Sequence, residues 1–152
     1  MIFSKTISTT IDLEARPDHV WGALTDTTTE RAWDPFFTSF DGHVVTGQSL
    51  AIVTEVNGRS FSFRPKVIEA TPGRRLVWRG RLLLPGVFDG EHRFELTEPT
   101  DGTTRLEHSE RFRGLLVPLT RRTVAATEAA FENFNRALRD EVARRPEPET
   151  SR

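Results

Sequence analysis

His92, His108 and Glu110 are three ionisable residues at positions where a strand face would ordinarily be apolar. They lie in residues 89–114, DGEHRFELTEPTDGTTRLEHSERFRG, two alternating runs joined by Pro99-Thr100-Asp101-Gly102, a Pro/Asp/Gly cluster that reads as the turn of a hairpin. Side chains two apart share a face of a strand. The face that carries Phe94, Leu96, Leu106 and Phe112 therefore also carries His92, His108 and Glu110. With Leu96 opposite Leu106, Phe94 faces His108 and His92 faces Glu110; a slip of one residue would send these groups to opposite faces. An imidazole held against a carboxylate can act as a general base, taking a proton beside a carbonyl or from a water. The same pair can also be a satisfied polar contact that stabilises the sheet face. The residue pattern leaves both readings open. In either case the face should line a cavity and not a dry core.

The elements that position these groups follow from periodicity. Ile7, Thr9, Ile11 and Leu13 alternate with polar residues as a first strand. Pro17 suits a helix's first turn, and Val20, Trp21 and Leu24 give it an apolar stripe. A second short helix is expected around Glu30–Trp33, stopped by Pro35. Strands are then expected at Phe40–Val45, at Ser49–Val56, and at Ser60–Ala70 after the Asn57-Gly58 turn. Pro65 marks an edge or bulge in the last of these. Arg74–Leu84 is the next strand. The apolar run Leu82–Phe88, with its two breakers Pro85 and Gly86, reads as a loop at a mouth. After the hairpin comes a long helix, about Leu119–Arg144, with Thr127, Phe131, Phe134, Leu138 and Val142 on one face and Asn135 beside it. An amide on an apolar stripe needs partners. One amphipathic helix cannot bury its stripe alone, so it must lie on the concave side of the sheet. The class is α+β, helices on one face.

The chain has 152 residues, enough for one domain with a substantial core, expected over residues 1–145 with a flexible polar tail at 146–152. A formal net charge of −1 gives no electrostatic support for nucleic-acid binding. Lys5 and Lys66 are the only lysines and the remaining cations are arginines, as in GC-rich bacterial genomes. The absence of cysteine excludes disulfides, thiolate metal sites and cysteine nucleophiles. No signal peptide and no membrane span is read in the chain, so a cytoplasmic location is expected. His92, His108 and Glu110 form a two-histidine, one-carboxylate set, but no HxxxH or HxxE helix signature backs it. There is no phosphate loop or dinucleotide fingerprint either, so neither metal nor cofactor is expected. Nor is an apolar patch or charged groove for docking another protein distinguishable. A monomer or homodimer is expected.

The order of elements, with Ala15-Arg16-Pro17-Asp18-His19-Val20-Trp21, Leu24-Thr25-Asp26 and Trp33-Asp34-Pro35, resembles the SRPBCC superfamily, also called START-like or helix-grip, over about Ile7–Arg144. Phe63-Arg64-Pro65-Lys66-Val67, Arg75–Arg81, Pro85–His92 and Gly114–Leu119 are similar to a bacterial group placed with polyketide cyclase/dehydrase and lipid-transport domains. The resemblance implies a curved seven-stranded antiparallel sheet gripping the C-terminal helix, with two short helices after the first strand and a largely apolar cavity between sheet and helix. On that fold the expected ligand-binding residues are Trp33, Phe36, Phe37, Phe61, Phe63, Trp78, His92, Phe94, His108, Glu110, Phe112, Phe131 and Asn135, many of which would equally serve as plain core. The expected function is binding of a small hydrophobic or amphipathic molecule: a lipid, polyketide or aromatic metabolite. The alternative is a cyclase/aromatase-like or hydrolase-like enzyme in the same cavity, with His92, Glu110 and His108 as catalytic candidates. Fold does not decide between them.

Overall fold

The computed structural model describes residues 3–27, 31–82 and 88–147. Strand β1 (Phe3–Leu13) leads into helix α1 (Pro17–Leu24), which opens on the expected Pro17. Strands β2 (Phe37–Asp41), β3 (Ala51–Val56), β4 (Arg59–Phe63), β5 (Lys66–Thr71), β6 (Arg75–Leu82), β7 (Phe88–Thr97) and β8 (Thr104–Gly114) follow. A single 3-10 turn, Val117–Thr120, then delivers the chain to helix α2 (Arg121–Arg144). Every strand pair is antiparallel. Five strands pair in the order β1-β8-β7-β6-β5, and three in the order β2-β3-β4. Helix α2 packs across β1 and β3 and meets α1. Among the described residues no helix is long and apolar enough to cross a membrane.

The architecture is α+β with antiparallel strands around a long C-terminal helix, but the described strands number eight in two sheets, not seven in one. The break is at Arg64-Pro65. Pro65 has no N–H to give a ladder, so the alternating run at 60–70 divides into β4 and β5, which belong to different sheets. At the corner the backbone still crosses over: Leu50 N–H donates to Pro65 O (2.9 Å), Val67 N–H to Gln48 O (2.8 Å) and Gly47 N–H to Val67 O (2.8 Å).

The entry to β2 also differs from expectation. Residues 31–33 form a turn and no helix, closed by Asp34 N–H on Arg31 O (2.9 Å); Glu30, where that helix was expected to begin, lies outside the described residues. The cause is a buried ion pair. Arg31 donates through Nε and Nη2 to Asp34 Oδ2 (3.1 and 2.9 Å) and through Nη1 to the Leu24 and Asp26 carbonyls (both 3.0 Å). Its guanidinium lies over the rings of Trp33 and Phe40 at 4.7 and 4.8 Å. The other oxygen, Asp34 Oδ1, accepts the N–H groups of Phe36 (2.9 Å) and Phe37 (2.8 Å). The chain is thereby turned out of α1 and straightened, so β2 starts at Phe37 and ends before Gly42 (φ +121°), short of the expected Phe40–Val45. The expected mouth loop falls largely on residues 83–87 and the expected tail on 148–152, both outside the described residues.

Helix α2 buries Val124, Thr127, Phe131, Phe134, Asn135, Leu138 and Val142. Phe131 stacks on His108 with centroids 3.9 Å apart and planes 9° apart. Beside this stack, Asn135 is tied to both flanking strands. Its Oδ1 is 3.0 Å from His108 Nδ1, its Nδ2 donates to Thr9 Oγ1 (2.9 Å), and the Thr9 hydroxyl donates to His108 O (3.1 Å). One side chain thus fixes α2 to β1 and β8 at adjacent partners in the ladder, Thr9 and His108.

Two outcomes are expected. Asp34→Ala leaves Arg31 buried without its counter-ion and should lower unfolding free energy by about 3–5 kcal/mol in a urea titration, whereas Arg105→Ala, in the exposed Asp12 pair, should leave the midpoint essentially in place. Burial, and then the adjacent His92 imidazole, hold His108 well below its usual 6.5. Below that value the unfolded chain therefore binds a proton that the fold does not. Stability should rise with pH up to about 6.5 and fall as pH drops beneath it, by up to about 1.4 kcal/mol per pH unit from this group. In His108→Asn, which has nothing to titrate there, the stability slope between about pH 5 and 6.5 should shrink by that amount; an unchanged slope would refute the assignment.

Candidate functional site

The β7–β8 hairpin has the register expected from its alternation: Leu96 opposite Leu106, Phe94 opposite His108, His92 opposite Glu110. The turn suits it, because Gly102 takes φ +83° and Glu98 accepts the Gly102 N–H (3.1 Å). On the concave face, diagonal neighbours touch. His92 Nε2 and His108 Nε2 are 2.6 Å apart, and His92 Nδ1 lies 3.2 Å from Glu110 Oε2.

The direction of every hydrogen bond in this chain of groups follows from Thr9. Its hydroxyl hydrogen goes to the His108 carbonyl, so its oxygen accepts from the Asn135 amide nitrogen, and Asn135 Oδ1 is left facing His108 Nδ1. A carbonyl oxygen only accepts, so His108 Nδ1 carries hydrogen. His108 is fully buried and held neutral, which leaves Nε2 with a lone pair. At 2.6 Å, His92 Nε2 must be the donor. A hydrogen bond between His92 Nδ1 and Glu110 Oε2, 3.2 Å apart, then needs its hydrogen on one of these two atoms.

This pair opens into a cavity of about 300 Å³. Trp78, Gly80, Arg81, Gly90, His92, Glu110 and Phe112 line it from the five-stranded sheet, and Thr54, Val56, Arg59, Phe61, Ser62 and Phe63 from the smaller one. Phe36 and, at the helix side, Leu116, Thr120, Thr123, Val124 and Thr127 complete the wall. The space exists because bulk is missing at particular positions. Gly80 and Gly90 face each other across β6 and β7. A Cβ on Gly80 would come 3.2 Å from the Phe63 ring, and one on Gly90 would come 2.7 Å from Glu110 Oε1. Helix α2 likewise presents threonine and valine over the cavity and turns aromatic only at Phe131 and Phe134.

Of the residues expected to line a ligand site, the structure brings Phe36, Phe61, Phe63, Trp78, His92, Glu110 and Phe112 to the cavity wall. Phe37, Phe94, His108, Phe131 and Asn135 sit behind it, closed off in the core. Phe37 is packed edge-on among Phe36, Phe40, Trp78 and Phe134. Trp33 lies against Phe134 under the Arg31 guanidinium. The lining residues not anticipated are mostly small ones, Thr54, Ser62, Gly80, Gly90, Thr120, Thr123 and Thr127, with the aliphatic Val56, Leu116 and Val124 and the cations Arg59 and Arg81. Their signal was a glycine at matching positions of two adjacent strands and threonines at helical spacing on an otherwise apolar stripe. The two histidines bond each other through the nitrogens a metal ion would need, and among the described residues no cluster of His, Asp and Glu is arranged to hold one. A second hollow of about 370 Å³ lies where α1 meets the end of α2; His19 closes it with a 2.8 Å contact from Nε2 to Val142 O. Charged side chains (Glu14, Arg139, Asp140, Arg145, Glu147) fill much of that wall. The mostly apolar cavity, with the His92–Glu110 pair on its wall, is the better ligand site.

Solved structures share this fold. The Zhui aromatase/cyclase from Streptomyces sp. R1128 superposes with a TM-score of 0.76 at 16% identity, over 93% of this chain and 95% of that one. Protein MLL2253 from Mesorhizobium loti gives 0.73 at 20% identity, over 92% and 98%. A START superfamily protein from Mycobacterium smegmatis gives 0.69 at 18% identity, over 91% and 97%. No curated protein matches the sequence. The family model for polyketide cyclase/dehydrase and lipid transport matches residues 4–143, nearly the whole chain with both walls of the cavity, and the protein belongs to that family.

Proposed function

We propose that the protein binds a small hydrophobic or amphipathic molecule between its sheets and α2. The observation that carries this reading is the cavity itself, about 300 Å³ and lined in large part by aromatic and aliphatic side chains, with the His92–Glu110 pair, Arg59, Arg81 and a few hydroxyls as its polar groups. That volume is at the low end of those that enclose small organic ligands and suits a body of one or two rings. The START-like and aromatase/cyclase neighbours are in keeping with such a ligand. Burial of its apolar surface against Phe63, Trp78 and Phe112 supplies the affinity, at roughly 25 cal/mol per Å² of area removed from water.

A second reading, catalysis in the same cavity, is favoured by one observation: His92 Nδ1 lies 3.2 Å from Glu110 Oε2 at the cavity wall, with the far nitrogen of His92 committed to His108. A dyad of this kind can take a proton from a carbon beside a carbonyl and return it elsewhere.

Equilibrium dialysis against naphthalene tests the first reading, with saturable one-to-one uptake as the expected result. Thr127→Phe, which fills the cavity from the helix, should weaken uptake by about tenfold or more, equivalent to about 1.4 kcal/mol. Uptake that ignores this substitution would place binding elsewhere. For the second reading, His92→Ala should abolish any turnover found with a polyketide-like diketone while leaving naphthalene affinity within about tenfold, since naphthalene makes no hydrogen bond and the aromatic wall of Phe63, Trp78 and Phe112 is kept.

A further inference from the structure

The polarity of the hydrogen-bond chain also says what kind of ligand group can meet Glu110. This inference rests on the ligand-binding reading above and narrows it. Glu110 Oε2 is engaged with His92 Nδ1, while Oε1 has no hydrogen-bond partner among the described residues and lies over Gly90, on the cavity wall. Suppose the hydrogen between them sits on His92: Glu110 is then a carboxylate and Oε1 accepts. Suppose instead it sits on Glu110: it must be on Oε2, pointing at His92, and Oε1 is a carbonyl oxygen that again accepts. Both placements give the same answer. The reason lies behind the wall, in the Thr9–Asn135–His108 arrangement that prevents His92 from turning its proton-bearing Nε2 to the cavity.

Two helix-side hydroxyls are turned the same way, while the cationic donors of the wall, Arg59 and Arg81, lie on β4 and β6. Thr120 donates its hydroxyl hydrogen to Val117 O (2.8 Å) and Thr127 to Thr123 O (2.7 Å), so both show lone pairs to any neighbour. A ligand that set a carbonyl or ether oxygen against Oε1 would leave two acceptors facing each other in a desolvated site, which is unfavourable.

We infer that the cavity selects a compact aromatic molecule bearing a neutral hydrogen-bond donor, a hydroxyl or N–H group, which it donates to Glu110 Oε1. Asn135 and His108 are positioning residues for this contact. The absence of a side chain at position 90 is part of the same site, because a methyl there would occupy the place of the carboxylate oxygen.

Three probes of one skeleton test it by equilibrium dialysis: naphthalene, 2-naphthol and 2-methoxynaphthalene. The wild-type protein should hold 2-naphthol about tenfold more tightly than either of the others, the size of one hydrogen bond to a charged or strongly polar acceptor. In Glu110→Leu this preference should vanish with naphthalene affinity retained, and retained affinity also shows that the variant is folded. Gly90→Ala is a milder check: it displaces Oε1 without altering charge and should reduce the preference in the same direction. Equal affinity for 2-naphthol and 2-methoxynaphthalene in the wild type, or a preference that survives Glu110→Leu, would overturn the donor inference and leave apolar binding standing. Failure of all three probes to bind would overturn the ligand-binding reading, and this inference with it.

Discussion

The Thr9 hydroxyl carries one hydrogen, and its direction towards the His108 carbonyl orders everything that meets behind the cavity. It orients the Asn135 amide, which orients His108, which obliges His92 to donate inwards and to show its other edge to Glu110. No charged group is needed to do this. The same bonds hold α2 to β1 and β8, so the contact that seats the helix and the contact that orients the polar pair cannot be separated. Inside a protein such a network is either fully satisfied or expensive; here each member has a partner of the right sense.

A second division runs along the length of α2. Phe131 and Phe134 close the core against His108, Phe94 and Phe37, in a cluster of ring contacts at 3.9–5.9 Å. The first turns of the helix carry Thr120, Thr123, Val124 and Thr127 and leave the space that the sheet's glycines also leave. The helix is amphipathic throughout, but bulk is graded along its buried stripe. That gradient, together with Gly80 and Gly90, makes a cavity where uniform packing would have made a continuous core.

Much of this was legible in the amino-acid order, and the exceptions are instructive. The hairpin register could be read because Leu96 and Leu106 leave only one way to bury both, which brings His92 to Glu110 without any further assumption. The stripe of α2 could be read from its period, including the anomalous Asn135. What the pattern does not contain is depth. Phe37, Phe63, Phe94 and Phe112 all point inwards, and alternation alone cannot say which meet the cavity and which lie behind it; that is decided by neighbours with no side chain to notice. The Arg31–Asp34 pair was hidden for another reason. Two charges three apart in DTTTERAWD look like a solvated surface, and only the convergence of the Leu24 and Asp26 carbonyls with the Trp33 and Phe40 rings makes burial tolerable. The Arg64-Pro65 break was visible as an interruption, but a missing N–H does not announce that the next strand joins a different sheet.

That break bears on the size of the cavity. Its two walls belong to separately paired sheets, and at the corner near Pro65 the backbones are joined by the bonds of Gly47, Leu50 and Val67. Within each sheet the ladders fix the strands, whereas between the sheets the backbone bonds are few and the angle is set by packing, with Phe37 of β2 wedged among Trp78, Phe94 and Phe134. The volume between the sheets is therefore a property of that angle as much as of the side chains that line it.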